Sequence, residues 1–183
     1  GTDWGDNGVW RTLASHNWST THRDVKSAWN NLNQLIFNAT AVIDSRSNPS
    51  TSQAAEAKFI RAFAMFWLID LYGQVPFRAP DDGPEVSPMV MNRSDAFDFA
   101  MNDLTEALPN LATSGPSADL NKASKAAARL LMAKMLLNKH IYTGSGTASA
   151  ADMTEVISLV DQITADGFAL QDGYFDIFTD SVD

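Results

Sequence analysis

Three tryptophans, Trp4, Trp10 and Trp18, stand near the start of the chain among Asp6, Asn7 and Arg11, in a segment otherwise rich in Gly, Ser, Thr and Asn. An exposed indole can stack on the apolar face of a pyranose while neighbouring carboxylate, amide and guanidinium groups hydrogen-bond its hydroxyls. Trp4, Asp6, Asn7, Trp10, Arg11 and Trp18 are therefore the candidate ligand-binding residues, and carbohydrate binding is the chemistry they suit. The plainer alternative is that Trp10 and Trp18 are apolar anchors for a cap over the first two long helices.

Other chemistry finds little support. His16, His22 and His140 fall on separate segments, without the i, i+4 pairing that would begin a metal site. Asp3, Asp6 and Asn7 with Gly5 and Gly8 resemble a calcium loop, but its twelfth position is Ala14 instead of a bidentate Glu. That excludes an EF-hand and leaves a looser calcium site open. Gly144-Ser145-Gly146-Thr147 lacks both the preceding strand and the Gly-Lys-Ser/Thr ending of a phosphate loop, so it is read as a connector. Asp81, Asp82 and Glu85 lie in a breaker-rich stretch, solvated, and do not make an acid/base pair. Arg61 and Asp70 interrupt an apolar helix and must be partnered if buried, a structural ion pair being the expected outcome. Glycosylation-like sequons begin at Asn17, Asn38 and Asn92, and the second falls inside a helix, which makes chance the better account. No Ser/His/Asp order with an elbow motif occurs. The expectation is a binding protein with no cofactor and no catalytic residues.

The elements that must position these groups are helical. Residues 1–22 carry no apolar period and read as a Trp-rich loop region, with a short turn of helix around Val9–Leu13. Val25, Ala28, Trp29, Leu32, Leu35, Ile36, Ala39, Val42 and Ile43 recur at helical spacing and line one face of a first long helix. A second, about Gln53–Tyr72 with its cap at Thr51 or Ser52, is apolar nearly all round from Phe59 onward. Such a helix is sandwiched between neighbours, and burying its large side chains contributes on the order of 10–20 kcal/mol gross. Gly73 ends it and Pro76 prevents a restart. Val75–Arg93, with Pro76, Pro80, Pro84 and Pro88, reads as a surface loop. Ser94 is the expected cap of a third helix that stops before Pro109. A fourth, Ala-rich and cationic, spans about Lys122–Tyr142, and a fifth spans about Asp152–Ala165. Helix starts recur at intervals of roughly 30–40 residues, the range of tetratricopeptide-type hairpins. The expected fold is all-α, with tetratricopeptide-like helical hairpins packed around a central apolar helix. It forms a single helical domain over 1–183, whose helical body is 23–183.

Composition bounds the partners. The chain has 183 residues, of which 45% are hydrophobic, including 10 Phe and 5 Trp, enough apolar surface for a folded core. A net charge of -9 argues against nucleic acid and anionic membrane surfaces. The absence of Cys excludes disulfides and thiolate metal sites within these residues. The longest apolar stretch, Phe59–Tyr72, is interrupted by Arg61 and Asp70 and is shorter than the ~20 residues of a membrane span.

Several motifs in order carry a family resemblance. The run from Ala55 to Phe77, AEAKFIRAFAMFWLIDLYGQVPF, closely resembles the signature helix and exit turn of SusD/RagB-like outer-membrane nutrient-binding lipoproteins. Gln74 stands where that family usually has an acidic residue. A Trp-containing helix precedes this run. Arg93-Ser94, Asp103-Leu104 and Ala107-Leu108-Pro109 follow it, then an AAARLLMAK helix and a GFAL approach to Tyr174 and Phe178. The resemblance covers about Trp29–Phe178 and corresponds only to the N-terminal portion of such proteins, so the chain is expected to be part of a longer one. The lipid-anchor Cys of the family is not among these residues, which fits a trimmed N-terminus.

The resemblance implies cell-surface glycan capture for nutrient uptake, with delivery to a SusC-like TonB-dependent transporter in the outer membrane. Membrane attachment would come only through the absent lipid anchor, and no nucleic acid is involved. The alternative is a helical scaffold that binds peptides or proteins without glycan affinity. The family offers no fixed sugar-contacting motif that maps onto this chain, so the six N-terminal residues rest on the stacking argument alone.

Overall fold

The computed structural model describes residues 8–116, 121–173, 175 and 178. Its helices are α1 (Val9–Ala14), α2 (Arg23–Ile43), α3 (Thr51–Tyr72), α4 (Arg93–Ala107), α5 (Lys125–Leu137), α6 (Lys139–Tyr142) and α7 (Ala150–Ala165). Between α3 and α4 lie two short strands, β1 (Gln74–Phe77) and β2 (Met89–Asn92). The architecture is helical and tetratricopeptide-like: α3 packs between α2 and α4, and α5 pairs with α7. Met65, Leu68 and Ile69 of α3, Leu104 of α4, Met135 of α5 and Val75 of β1 are fully buried and form the centre of the core. Among the described residues, no helix is long and apolar enough to cross a membrane.

Helix ends depart from the expected positions for local reasons. The cap of α3 is Ser50, one residue before Thr51. Its hydroxyl accepts from the Gln53 amide at 3.3 Å while the Gln53 side chain accepts from the Ser50 amide at 2.9 Å. Only Ser50 has a Gln three residues on, and that spacing makes the reciprocal box. At the other end Gly73 adopts the left-handed conformation, φ 75°, that closes the helix. For α4 the cap is Asn92 and not Ser94: its side-chain oxygen Oδ1 accepts from the Asp95 amide at 3.0 Å. The expected 122–142 helix begins later, capped by Ser124, and breaks at Asn138, whose amide turns back to the Lys134 carbonyl at 3.0 Å. The fifth helix begins earlier, capped by Ser149.

Two further expectations are corrected. The stretch Val75–Arg93 is not loop throughout, because its ends zip into an antiparallel ribbon with Gln74 opposite Asn92 and Phe77 opposite Met89. Val75 and Met91 face each other across it and both enter the core. Pro76, which has no N–H to give, is tolerated because each strand of a two-stranded ribbon keeps an unpaired edge. Nor is α3 covered on every side. Ile60, Phe63, Trp67 and Leu71 remain 38%, 41%, 36% and 55% exposed.

Candidate functional site

The N-terminal segment is built on one histidine. His22 precedes α2, and its Nδ1 accepts from the Asp24 and Val25 amides at 3.2 and 3.5 Å. Its Nε2 lies 3.2 Å from the Val9 carbonyl and 3.0 Å from the Thr12 hydroxyl. A carbonyl only accepts, so Nε2 carries the proton and Nδ1 is the acceptor. A single neutral imidazole thus caps α2 and ties α1 to its start. Sequence reasoning missed this role, since His is not among the favoured cap residues. The signal available was its place three residues before Val25, the first residue of the helical period.

Held this way, α1 presents Trp10, 57% exposed, with Arg11 beside it, also on the surface. Trp10 and Arg11 belong to a helix none of whose residues is buried. The helix ends in a tight reversal in which His16 takes a left-handed conformation and the Asn17 amide bonds the Thr12 carbonyl at 2.9 Å. That reversal brings the His16 ring against Trp18, centroids 5.6 Å apart and planes tilted by 42°. Trp18 is itself 46% exposed, and the Ser19 and Thr21 hydroxyls that follow it are 2.8 Å apart. Trp10, next to Arg11, and Trp18, against His16, are thus both exposed on this segment, and exposed indoles with polar neighbours suit the covering of an apolar sugar face. Trp4, Asp6 and Asn7 lie outside the described residues, as does the Asp3 corner of the looser calcium site.

The remaining candidates resolve into structural contacts. Arg61 is buried and makes a bidentate pair with Asp103 of α4, both bonds at 2.7 Å, and a third bond to Thr40 of α2 at 3.2 Å. Its guanidinium also lies 4.9 Å from the Phe99 ring centre. Asp70, the other charge in α3, instead accepts from the Tyr142 hydroxyl at 3.0 Å. Burial, with that carboxylate, pushes Tyr142 up to about 12. Asp81 pairs with Arg46 on the surface, and Asp82 accepts from the Ala79 amide. Among the described residues no three His, Asp or Glu side chains gather to hold a metal ion.

The elements and their order have counterparts among known proteins. No family model matches the chain. It is 30% identical over 151 residues to SusD-like protein P25 of Formosa agariphila, covering 76% of this chain and 28% of that protein. It is 23% identical over 179 residues to starch-binding protein SusD of Bacteroides thetaiotaomicron, covering 96% of this chain and 31% of that protein. The chain is SusD-like. The fold agrees, because a structure solved with a xylogluco-oligosaccharide superposes with a TM-score of 0.82 at 22% identity, over 97% of this chain and 36% of that one. The chain spans about three tenths of the length of the curated relatives it matches.

Proposed function

We propose that this chain is the N-terminal helical part of a glycan-binding protein of the cell surface. That protein takes up oligosaccharides as nutrients and passes them to a SusC-like TonB-dependent transporter. In this reading the complete protein is anchored to the outer membrane by a lipid and does no catalysis itself. Trp10 and Trp18 stack on sugar rings, while Arg11, with Trp4, Asp6 and Asn7, completes the contact surface. The observation that carries the reading is the pair of exposed indoles on a segment pinned by His22. It is supported by similarity to a starch-binding relative and to a structure solved with a xylogluco-oligosaccharide.

The test is titration calorimetry of the natural-length protein with malto- and xylogluco-oligosaccharides, run beside Trp10→Ala and Trp18→Ala. Each substitution is expected to weaken binding about tenfold, the ~1.4 kcal/mol of one aromatic stack. Absence of heat and of tryptophan quenching with either glycan sinks the reading. Undiminished affinity in both variants moves the site elsewhere on the molecule.

A further inference from the structure

The helix that carries Trp10 and Arg11 has little of its own to hold it in place. With six residues it is too short to be stable alone, and Gly8, which precedes it, supplies no side-chain cap. It is tied to α2 through the His22 imidazole, whose proton positions are dictated by partners that cannot change roles. The Asp24 and Val25 amides only donate, at 3.2 and 3.5 Å, so Nδ1 must be bare. The Thr12 hydroxyl gives its own proton to the Val9 carbonyl at 2.7 Å. It therefore accepts from Nε2, as that carbonyl does. The arrangement requires a neutral ring. A second proton would go to Nδ1, set one N–H against two others, and add positive charge at the positive end of α2.

Histidine is the residue type that changes charge between pH 5 and 8. The other charged or ionisable residues on the elements joined at this point are Arg11 on α1, His16 in the reversal, Arg23, Asp24 and Lys26 on α2, and Tyr72 on α3. The Asp24 carboxylate accepts from Arg23 at 2.8 Å, so the acidic group nearest in the chain is already neutralised by a guanidinium. The Tyr72 hydroxyl bonds the Val25 carbonyl at 2.7 Å, and burial pushes it up, so it keeps its proton across that range. We propose that His22 is a pH-sensitive latch: neutral, it holds α1 and Trp10 at the head of α2; protonated, it releases them. The inference concerns regulation of the proposed glycan site, and rests on that reading only for its effect on affinity.

Hydrogen exchange of the natural-length protein, read by mass spectrometry as protection factors at about pH 7.5 and about pH 5, tests the latch without any ligand. Protection across residues 9–14 and 24–25 is expected to fall about tenfold in acid, the worth of a lost cap, with α3 unchanged. His22→Asn keeps a neutral acceptor at the head of α2 but not the tie to α1. It should abolish the acid step and leave residues 9–14 poorly protected at both pH values. His16→Asn removes the neighbouring imidazole and should keep the step. Equal protection at the two pH values overturns the latch, as does a step that survives His22→Asn or vanishes in His16→Asn. Calorimetry with malto- and xylogluco-oligosaccharides reads the consequence. Affinity that falls about tenfold in acid for the parent protein, and stays constant for His22→Asn, supports control of the site. Affinity constant in both overturns that control. No binding at either pH, with the exchange step intact, refutes the glycan reading and leaves the latch standing.

Discussion

Replacing Asp103 by Ala leaves a guanidinium charged and buried where α2, α3 and α4 meet. Arg61 is 8% exposed and Asp103 only 2%, so neither charge can be taken up by water without opening the core. The pair is held by two bonds of 2.7 Å, with Thr40 at 3.2 Å and the Phe99 face as further partners. Burial pushes the Asp103 carboxyl up, and the hydrogen bonds and charge of Arg61 oppose it, so the two groups are stable only together. Breaking such a pair by removing one partner costs about 3–5 kcal/mol. For a domain of this size each kcal/mol shifts the melting temperature by about 2–4 °C, so Asp103→Ala is expected to lower it by about 6–20 °C.

The control separates charge from packing. In Arg61→Met/Asp103→Leu both charges are gone, and most of the lost stability returns because replacing a whole buried pair by apolar groups is close to neutral. Urea denaturation followed by far-ultraviolet circular dichroism measures both proteins. A cost below about 1 kcal/mol for Asp103→Ala would show that Arg61 finds water, and that the pair does not hold the three helices together. A double variant as unstable as the sum of its singles would refute the charge argument and leave packing as the cause.

Three other outcomes are expected. His22→Ala removes the acceptor for the Asp24 and Val25 amides and frees α1, costing about 1 kcal/mol; hydrogen exchange should quicken across residues 9–14 and glycan affinity fall, with α3 protection unchanged. Tyr142, pushed up to about 12 by burial and by Asp70, stays neutral above its ordinary value near 10. Its contribution to stability is therefore fully present below about pH 10 and lost as pH rises through about 12; phenolate absorbance should show a late component that Tyr142→Phe removes. Gly73→Ala forces a Cβ onto a φ of 75° and to 3.1 Å from the Arg93 side chain; a loss of about 1–2 kcal/mol in denaturant melts is expected.

What could be read from residues alone follows from the length scale of each signal. The long helices were legible because Val25 to Ile43 and Phe59 to Leu71 repeat their pattern over many turns. Their ends were less so: Ser50, Thr51 and Ser52 can each cap, and only the distance to Gln53 decides among them. The ribbon escaped notice because four-residue strands, one of them carrying Pro76, are too short to show alternation, and their partners lie across a long loop. Arg61 announced that it needed a partner but not which one, since Asp103 stands 42 positions away and nothing local points to it. For the site, the residue types of Trp10 and Trp18 were legible, whereas their exposure depends on how His22 places α1.

The pattern of α3 belongs to a different class. An apolar circumference is a statement about everything that will surround the helix in the finished molecule, whichever segment supplies it. Sequence therefore asked for burial of Phe63, Trp67 and Leu71, and α2 and α4 answer only part of that request. A mistaken pattern would leave exposed residues scattered around the helix, with no shared direction. Here the uncovered four lie in one stripe, opposite a face whose Ala62, Met65, Leu68 and Ile69 are all fully buried.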